Sequence, residues 1–217
     1  PGIAQDDPLH PTSGNIGKIA LGRHHALFLR HNGTVVAWGS NCYGELGVPV
    51  TDSGTECLHH APVEVDLPDE VWDVACGPHY SVFLLQDGRL LACGLNDDGV
   101  LGTNFPTQTD SPAPVEGREA VGEILNIWAG VRGLAAIAAE DKSVWWFDRG
   151  KATRVMDLPG RVQMIAGIMG SGDNESDSYS QVGLASTRPI PGDDPMGPRL
   201  AGPALAGQGW HKRDVVY

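Results

Sequence analysis

Short apolar runs recur along the chain between clusters of Gly, Asn, Asp and Pro: ALFLR (26–30), TVVAWG (34–39), SVFLL (81–85), RLLACG (89–94) and SVWWF (143–147). Runs of this length, rich in Val, Leu and aromatic residues and bounded by turn formers, predict strands. Asn32-Gly33 and Asp87-Gly88 separate the first two pairs of runs. These are the residues favoured where a two-residue hairpin turn needs positive φ, so each pair predicts an antiparallel hairpin. A glycine-rich loop follows each hairpin: GSNCYGELG (39–47) and GLNDDGVLG (94–102).

The pattern is a repeat. At an offset of 55 residues, 12 of the 30 positions in 18–47 and 73–102 are identical without a gap. Gly22, His24, Phe28, Leu29, Gly33, Gly39, Asn41, Gly44, Leu46 and Gly47 all have identical counterparts, as do Ala20 and Ala37. A period near 55 predicts blades or a solenoid. The linkers 48–72 and 103–125 contain PVEV and PVEG, strand-like segments that complete a four-stranded sheet per unit, since a lone hairpin is marginal in water. A worn third copy opens at Ile127-Trp128-Ala129-Gly130, with Lys142 at the hairpin glycine and Arg132 in place of His24 and His79. Its closing loop is missing. A fourth opening, VQMIAG (162–167), runs into the acidic stretch GSGDNESDSYS and then QVGLAS. The organisation expected is therefore an N-terminal extension (1–14), a repeat domain (15–186, repeats starting near 18, 73, 126 and 162) and an extended Pro/Gly-rich tail (187–217).

Ala-x-Gly-x-His, the hairpin Asn/Asp-Gly, and Asn-x-x-Gly-x-Leu-Gly together resemble the repeat of the regulator of chromosome condensation family. The resemblance covers roughly residues 15 to 186 and implies an all-β fold, a partial β-propeller of three to four antiparallel blades. Members of that family usually close a ring of seven blades. A shorter array leaves sheet faces open, and open faces invite association. The resemblance also implies two activities: exchange-factor regulation of a small GTPase, as for the founding member, and inhibition of an enzyme by a propeller that plugs its active site.

Charge narrows the partners. The chain of 217 residues has 15 Lys+Arg against 27 Asp+Glu, a net charge of −12. Affinity for nucleic acid comes mainly from cations that neutralise phosphates, so no direct nucleic-acid binding is expected. A protein partner with basic surfaces suits this charge better. No apolar stretch approaches the ~18 residues of a membrane span, so membrane insertion is not expected. Four cysteines without C-x-x-C spacing are too few for a disulfide scaffold and lean towards an intracellular protein.

No nucleotide-binding, serine-hydrolase or zinc-peptidase motif occurs, and the expected function is a non-enzymatic protein–protein interaction module within a larger assembly, without a cofactor. His24 and His79 recur once per repeat, which marks them as blade residues bonding backbone in their own unit. Cys76 and Cys93 occupy apolar positions and read as core thiols. Cys42, Cys57, His59 and His60 are metal-ligating types, but their spacing matches no common zinc module, and metal binding stays open. The partner-binding residues expected are Tyr43 and Glu45 in the first closing loop and Asp97 and Asp98 in its counterpart, with Asp173, Glu175 and Asp177 in the acidic stretch.

Overall fold

The computed structural model describes residues 15–50, 57–97, 99–130, 133–155, 164–168, 181–186 and 199–201. Three four-stranded antiparallel sheets follow one another along the chain, each with its strands in sequence order. The first contains β1 (Ile16–Leu21), β2 (His25–Arg30), β3 (Val35–Ser40) and β4 (Leu58–Glu64). The second contains β5 (Val71–Cys76), β6 (Tyr80–Leu85), β7 (Leu90–Leu95) and β8 (Gln108–Pro114). The third contains β9 (Ile124–Ala129), β10 (Leu134–Ala138), β11 (Val144–Asp148) and β12 (Lys151–Arg154). A fourth, three-stranded sheet pairs β13 (Met164–Ile168), β14 (Gln181–Ser186) and β15 (Arg199–Ala201). The first strands of adjoining sheets are neighbours, β1 to β5, β5 to β9 and β9 to β13, so the sheets fan out from a common axis as propeller blades.

Strand alternation divides the core into two layers. On β6, Phe83 and Leu85 pack between blades one and two with Leu27, Leu29, Ala37 and Leu46. Val82 and Leu84 point the other way and pack between blades two and three with Ile127, Leu134 and Phe147. Blade two is thus buried on both faces, whereas blade one is covered on one. Ile19, Leu21 and Trp38 are 54%, 66% and 46% exposed. Their repeat counterparts Val74, Cys76 and Cys93 are 0%, 6% and 0% exposed, because blade one covers them.

Three local details differ from the sequence expectation. The hairpin turns contain three residues. Only the glycine takes positive φ (Gly33 at 81°, Gly88 at 85°), and Arg30 and Leu85 accept the bond that closes each turn. Asn32 and Asp87 serve through their side chains, which accept the backbone N–H of Thr34 (3.2 Å) and Arg89 (2.9 Å). The outer strands also begin before the PVEV and PVEG segments: β8 ends at Pro114, the first residue of the second one. Finally, β15 continues the fourth sheet into the segment expected to be tail, because a three-residue edge strand leaves no periodicity to read. The worn third copy keeps its hairpin: Lys142 adopts φ 59° where blades one and two have glycine. In place of a closing loop, Arg149 (47°) and Gly150 (76°) form a tight turn between β11 and β12.

Candidate partner-binding surface

One end of the blades gathers the loops β1–β2, β3–β4, β5–β6 and β7–β8. His24 and His79 fix this arrangement through their carbonyls, which accept the N–H of Ser40 (2.8 Å) and Leu95 (2.9 Å). Arg23 N–H donates to the Pro78 carbonyl across the blade boundary (3.1 Å), which joins the two loop sets.

The first closing loop is a packed plug between blades. Asn41 organises it, with Nδ2 donating to the Val48 carbonyl (3.0 Å) and Oδ1 accepting from Leu46 N–H (3.0 Å). Asn96 does the same in blade two towards Gly102 (2.9 Å) and Leu101 (2.8 Å). Gly44 passes so close to β8 that an added Cβ would lie 2.5 Å from the Asp110 Cα, so the glycine there is a packing requirement. Leu46 fills the core beneath the loop.

Glu45 departs from expectation. It is fully buried, with Oε1 accepting from Ser40 Oγ (2.9 Å) and Oε2 from Tyr43 N–H (2.7 Å), while its carbonyl accepts from Ser81 Oγ (2.6 Å). It therefore holds the plug together and is not a surface contact. A buried carboxylate persists only when its oxygens are bonded, as they are here. Tyr43 and Asp97 do lie on the surface at this end. The Tyr43 ring meets the His79 ring edge-on at 4.9 Å, and His24 lies 6.2 Å from His79. Asp98, Asp173, Glu175 and Asp177 fall outside the described residues.

The histidines act differently from the sequence reading. His24 is exposed and His79 half-buried; their rings lie 6.2 Å apart, and the His79 ring meets Tyr43 at the surface. The buried blade-fastening role belongs to the next residue along, His25 or Tyr80. His25 Nε2 lies 3.0 Å from Ser81 Oγ of blade two. The Ser81 hydroxyl already donates to Glu45, so the imidazole must donate through Nε2, which leaves Nδ1 bare and without a partner. Burial above all, with the neighbouring His79 next, pushes the His25 pKa down to about 4. In blade two Tyr80 Oη donates towards the carbonyls of Gly130 (2.7 Å) and Gly133 (3.2 Å) in blade three. A Cβ at Gly22 or Gly77 would overlap these rings, which explains the glycine of the Ala-x-Gly motif. His79 is also held below its ordinary pKa, chiefly by burial; Glu45 and Asp97 pull upward while Arg23 and His24 push down. The signal that could have found His25 was its position, two residues before the first core Leu of β2.

Cysteine pairing was also missed. Cys42 and Cys57 form a disulfide, with Cα atoms 4.9 Å apart, so both sulfurs of the group considered for metal are committed to each other. Their separation of 15 residues is closed by the return of the chain into β4, which spacing alone does not show. Cys76 and Cys93 are free, buried thiols; burial pushes Cys76 up to about 12 and Cys93 well above its ordinary value.

The model of the regulator of chromosome condensation repeat matches residues 32–84, and a second model of the same repeat matches 18–45 and 73–100. The human RCC1-like G exchanging factor-like protein is 29% identical over 118 residues, 54% of this chain and 25% of that protein. The bovine secretion-regulating guanine nucleotide exchange factor is 30% identical over 135 residues, 62% of this chain and 28% of that protein. The Saccharomyces cerevisiae guanine nucleotide exchange factor SRM1 is 36% identical over 96 residues, 42% of this chain and 20% of that protein. The chain thus spans less than a third of the length of these relatives. Human WBSCR16 superimposes with a TM-score of 0.62 at 22% identity, over 78% of this chain and 46% of that one. Yeast RCC1 (Prp20), solved bound to Kap60, gives 0.57 at 23% identity, over 70% and 40%. The chain carries repeats of the regulator of chromosome condensation type, folded as blades of a β-propeller.

Proposed function

We propose that the chain is the GTPase-facing part of an exchange-factor-type propeller, and that the loop end bearing Arg23, His24, Tyr43, His79 and Asp97 is its contact surface. The reading is supported by relatives whose names describe guanine nucleotide exchange factors. The observation that carries it is the convergence of both well-matched repeats on one rigid surface, with Tyr43 of blade one seated against His79 of blade two. Such a surface offers an aromatic anchor ringed by charges of both signs, the composition typical of interface hot spots. An exchange factor needs no bond-making chemistry. It accelerates release only by binding the nucleotide-free GTPase more tightly than the loaded one, and that difference in affinity is its whole activity. The expected outcome is at least a tenfold faster release of fluorescent GDP from one member of a panel of small GTPases, with Tyr43→Ala and Asp97→Ala each lowering it at least fivefold. No acceleration and no binding to any nucleotide-free GTPase would overturn the reading.

A second reading, an interaction module inside a larger assembly, is supported by the open apolar face of blade one around Ile19, Leu21 and Trp38. Contiguous apolar surface of this kind marks protein contacts. Concentration-dependent self-association or partner capture that Leu21→Asp abolishes, without any effect on GDP release, would favour this reading.

A further inference from the structure

The two closing loops share one scaffold and differ at one covalent feature. In blade one, Asn41 N–H donates to the Cys57 carbonyl (2.7 Å); in blade two, Asn96 N–H donates to the Thr107 carbonyl (2.8 Å). The positions that follow Asn41 and precede β4 are the bonded pair Cys42 and Cys57, where blade two has Asp97 and Thr107. Each plug is already held by its asparagine and its buried Leu, so the disulfide is not needed to form the loop. What it adds is confined to the exposed rim. Cys42 is exposed, Cys57 half-buried, and the residue after Cys42 is Tyr43, whose ring meets His79.

The remaining contacts of Cys42 are weak. Ser40 Oγ lies 3.4 Å from its sulfur, and Gln108 Nε2 reaches its carbonyl at 3.4 Å. The other two thiols are buried and cannot compete for exchange.

We propose that Cys42–Cys57 is a reversible thiol–disulfide site that exchanges with a small-molecule thiol such as glutathione and sets the position of Tyr43 on the loop-end surface. The thiolate of glutathione attacks the exposed Cys42 sulfur, the S–S bond breaks, and Cys57 leaves as thiolate. A second glutathione then attacks the mixed disulfide, releasing Cys42 as thiolate and glutathione disulfide, and both thiolates take up protons. Two glutathiones are oxidised while one protein disulfide is reduced; glutathione disulfide drives the reverse. Release of the clasp leaves the Cys42–Tyr43 tip held chiefly by the Tyr43 N–H bond to Glu45 Oε2 (2.7 Å), so the tip can shift while the Asn41 and Leu46 plug stays in place. The consequence for a partner rests on the surface reading above, whereas the exchange itself does not.

The test equilibrates the full chain in glutathione buffers of increasing reduced-to-oxidised ratio and counts N-ethylmaleimide adducts without denaturant. NMR of the His79 ring reports Tyr43 in the same samples. The expected result is no adduct at the oxidised end and two at the reduced end, on Cys42 and Cys57 alone, with a reversible transition. The His79 ring resonances should shift along the same curve, and Cys42→Ser should reproduce the reduced spectrum. Adducts on Cys42 and Cys57 at every ratio, adducts at none, or a transition that leaves His79 unmoved would each overturn the proposal. No GTPase enters these measurements, so failure here is distinct from failure of the exchange-factor reading.

Discussion

Blades one and two are fastened by a histidine, blades two and three by a tyrosine, and each ring stands three residues after an equivalent glycine, Gly22 or Gly77. The first junction is a polar chain, His25 to Ser81 to the Glu45 carbonyl, enclosed in a layer that also contains two thiols. The second is a phenol on two carbonyls, in a layer of aliphatic residues with Phe105 and Phe147. The repeat thus fixes where a ring must sit and how much room it has, but not the chemistry with which it holds the next blade. Identical architecture can therefore respond differently to pH.

Asp73 is the point at which the two junctions are coupled, and removing it should have the largest effect. It is buried on β5, accepts from Lys18 Nζ of blade one at 2.5 Å, and accepts from Ile127 N–H of blade three at 2.9 Å. Lys18, Asp73 and Asn126 occupy matching positions on the three first strands, with Asn126 Nδ2 3.4 Å from the same carboxylate. Asp73→Ala should cost about 2–3 kcal/mol in urea unfolding, mainly because it orphans the buried Ile127 N–H, whereas Lys18, whose side chain is 39% exposed, can turn to water. Asp73→Asn keeps an acceptor for Ile127 and should cost about half as much. A loss below about 1 kcal/mol for the alanine variant would mean that each junction stands alone.

The histidine junction should be the acid-labile one. The folded pKa of His25, about 4, lies below its unfolded value of 6.5, so the unfolded chain binds the proton more readily. Its contribution is complete above pH 6.5 and is lost as pH falls from 6.5 towards 4, at about 1.4 kcal/mol per pH unit. Between pH 7 and pH 5 the loss should be about 2 kcal/mol. Urea titrations at the two pH values should show this difference in the parent chain and a difference smaller by about that amount in His25→Gln. Equal pH dependence in both would place the acid sensitivity elsewhere.

The sequence revealed the blades far better than it revealed the junctions, for a physical reason. Backbone demands recur in blades one and two: Gly33 and Gly88 at positive φ, Asn41 and Asn96 each wrapped around its own loop. Each leaves the same residue at the same offset and is visible in one chain. Contacts between blades are made by residues free to differ from copy to copy, so His25 and Tyr80 look unrelated until the fold aligns them. His24 and His79, which do recur, drew attention one position too early. Tyr43 and Asp97 were identifiable as the variable residues between the glycines. Glu45 shared that variability but turned inward, since a loop alternating in and out of a groove hides some of its non-repeating side chains. The disulfide was illegible because its two cysteines are brought together by the turn into β4 and by nothing in their spacing.

The tyrosine junction supplies the smallest and cleanest contrast. Tyr80→Phe removes one hydroxyl without changing the ring that fills the space over Gly77. The carbonyls of Gly130 and Gly133 lose that donor in a buried site, so the cost should be about 1–1.5 kcal/mol, the net worth of a neutral hydrogen bond. Unlike the histidine contribution, it should be the same at pH 7 and pH 5, because the substitution removes a single hydrogen bond between the hydroxyl and two backbone carbonyls. Tyr80→His should go further and bring acid lability to the second junction, provided that burial there lowers the imidazole pKa as it does for His25. If Tyr80→Phe instead became more costly as pH fell, the second junction would contain a titrating group of its own, and the contrast between the two fastenings would have to be redrawn.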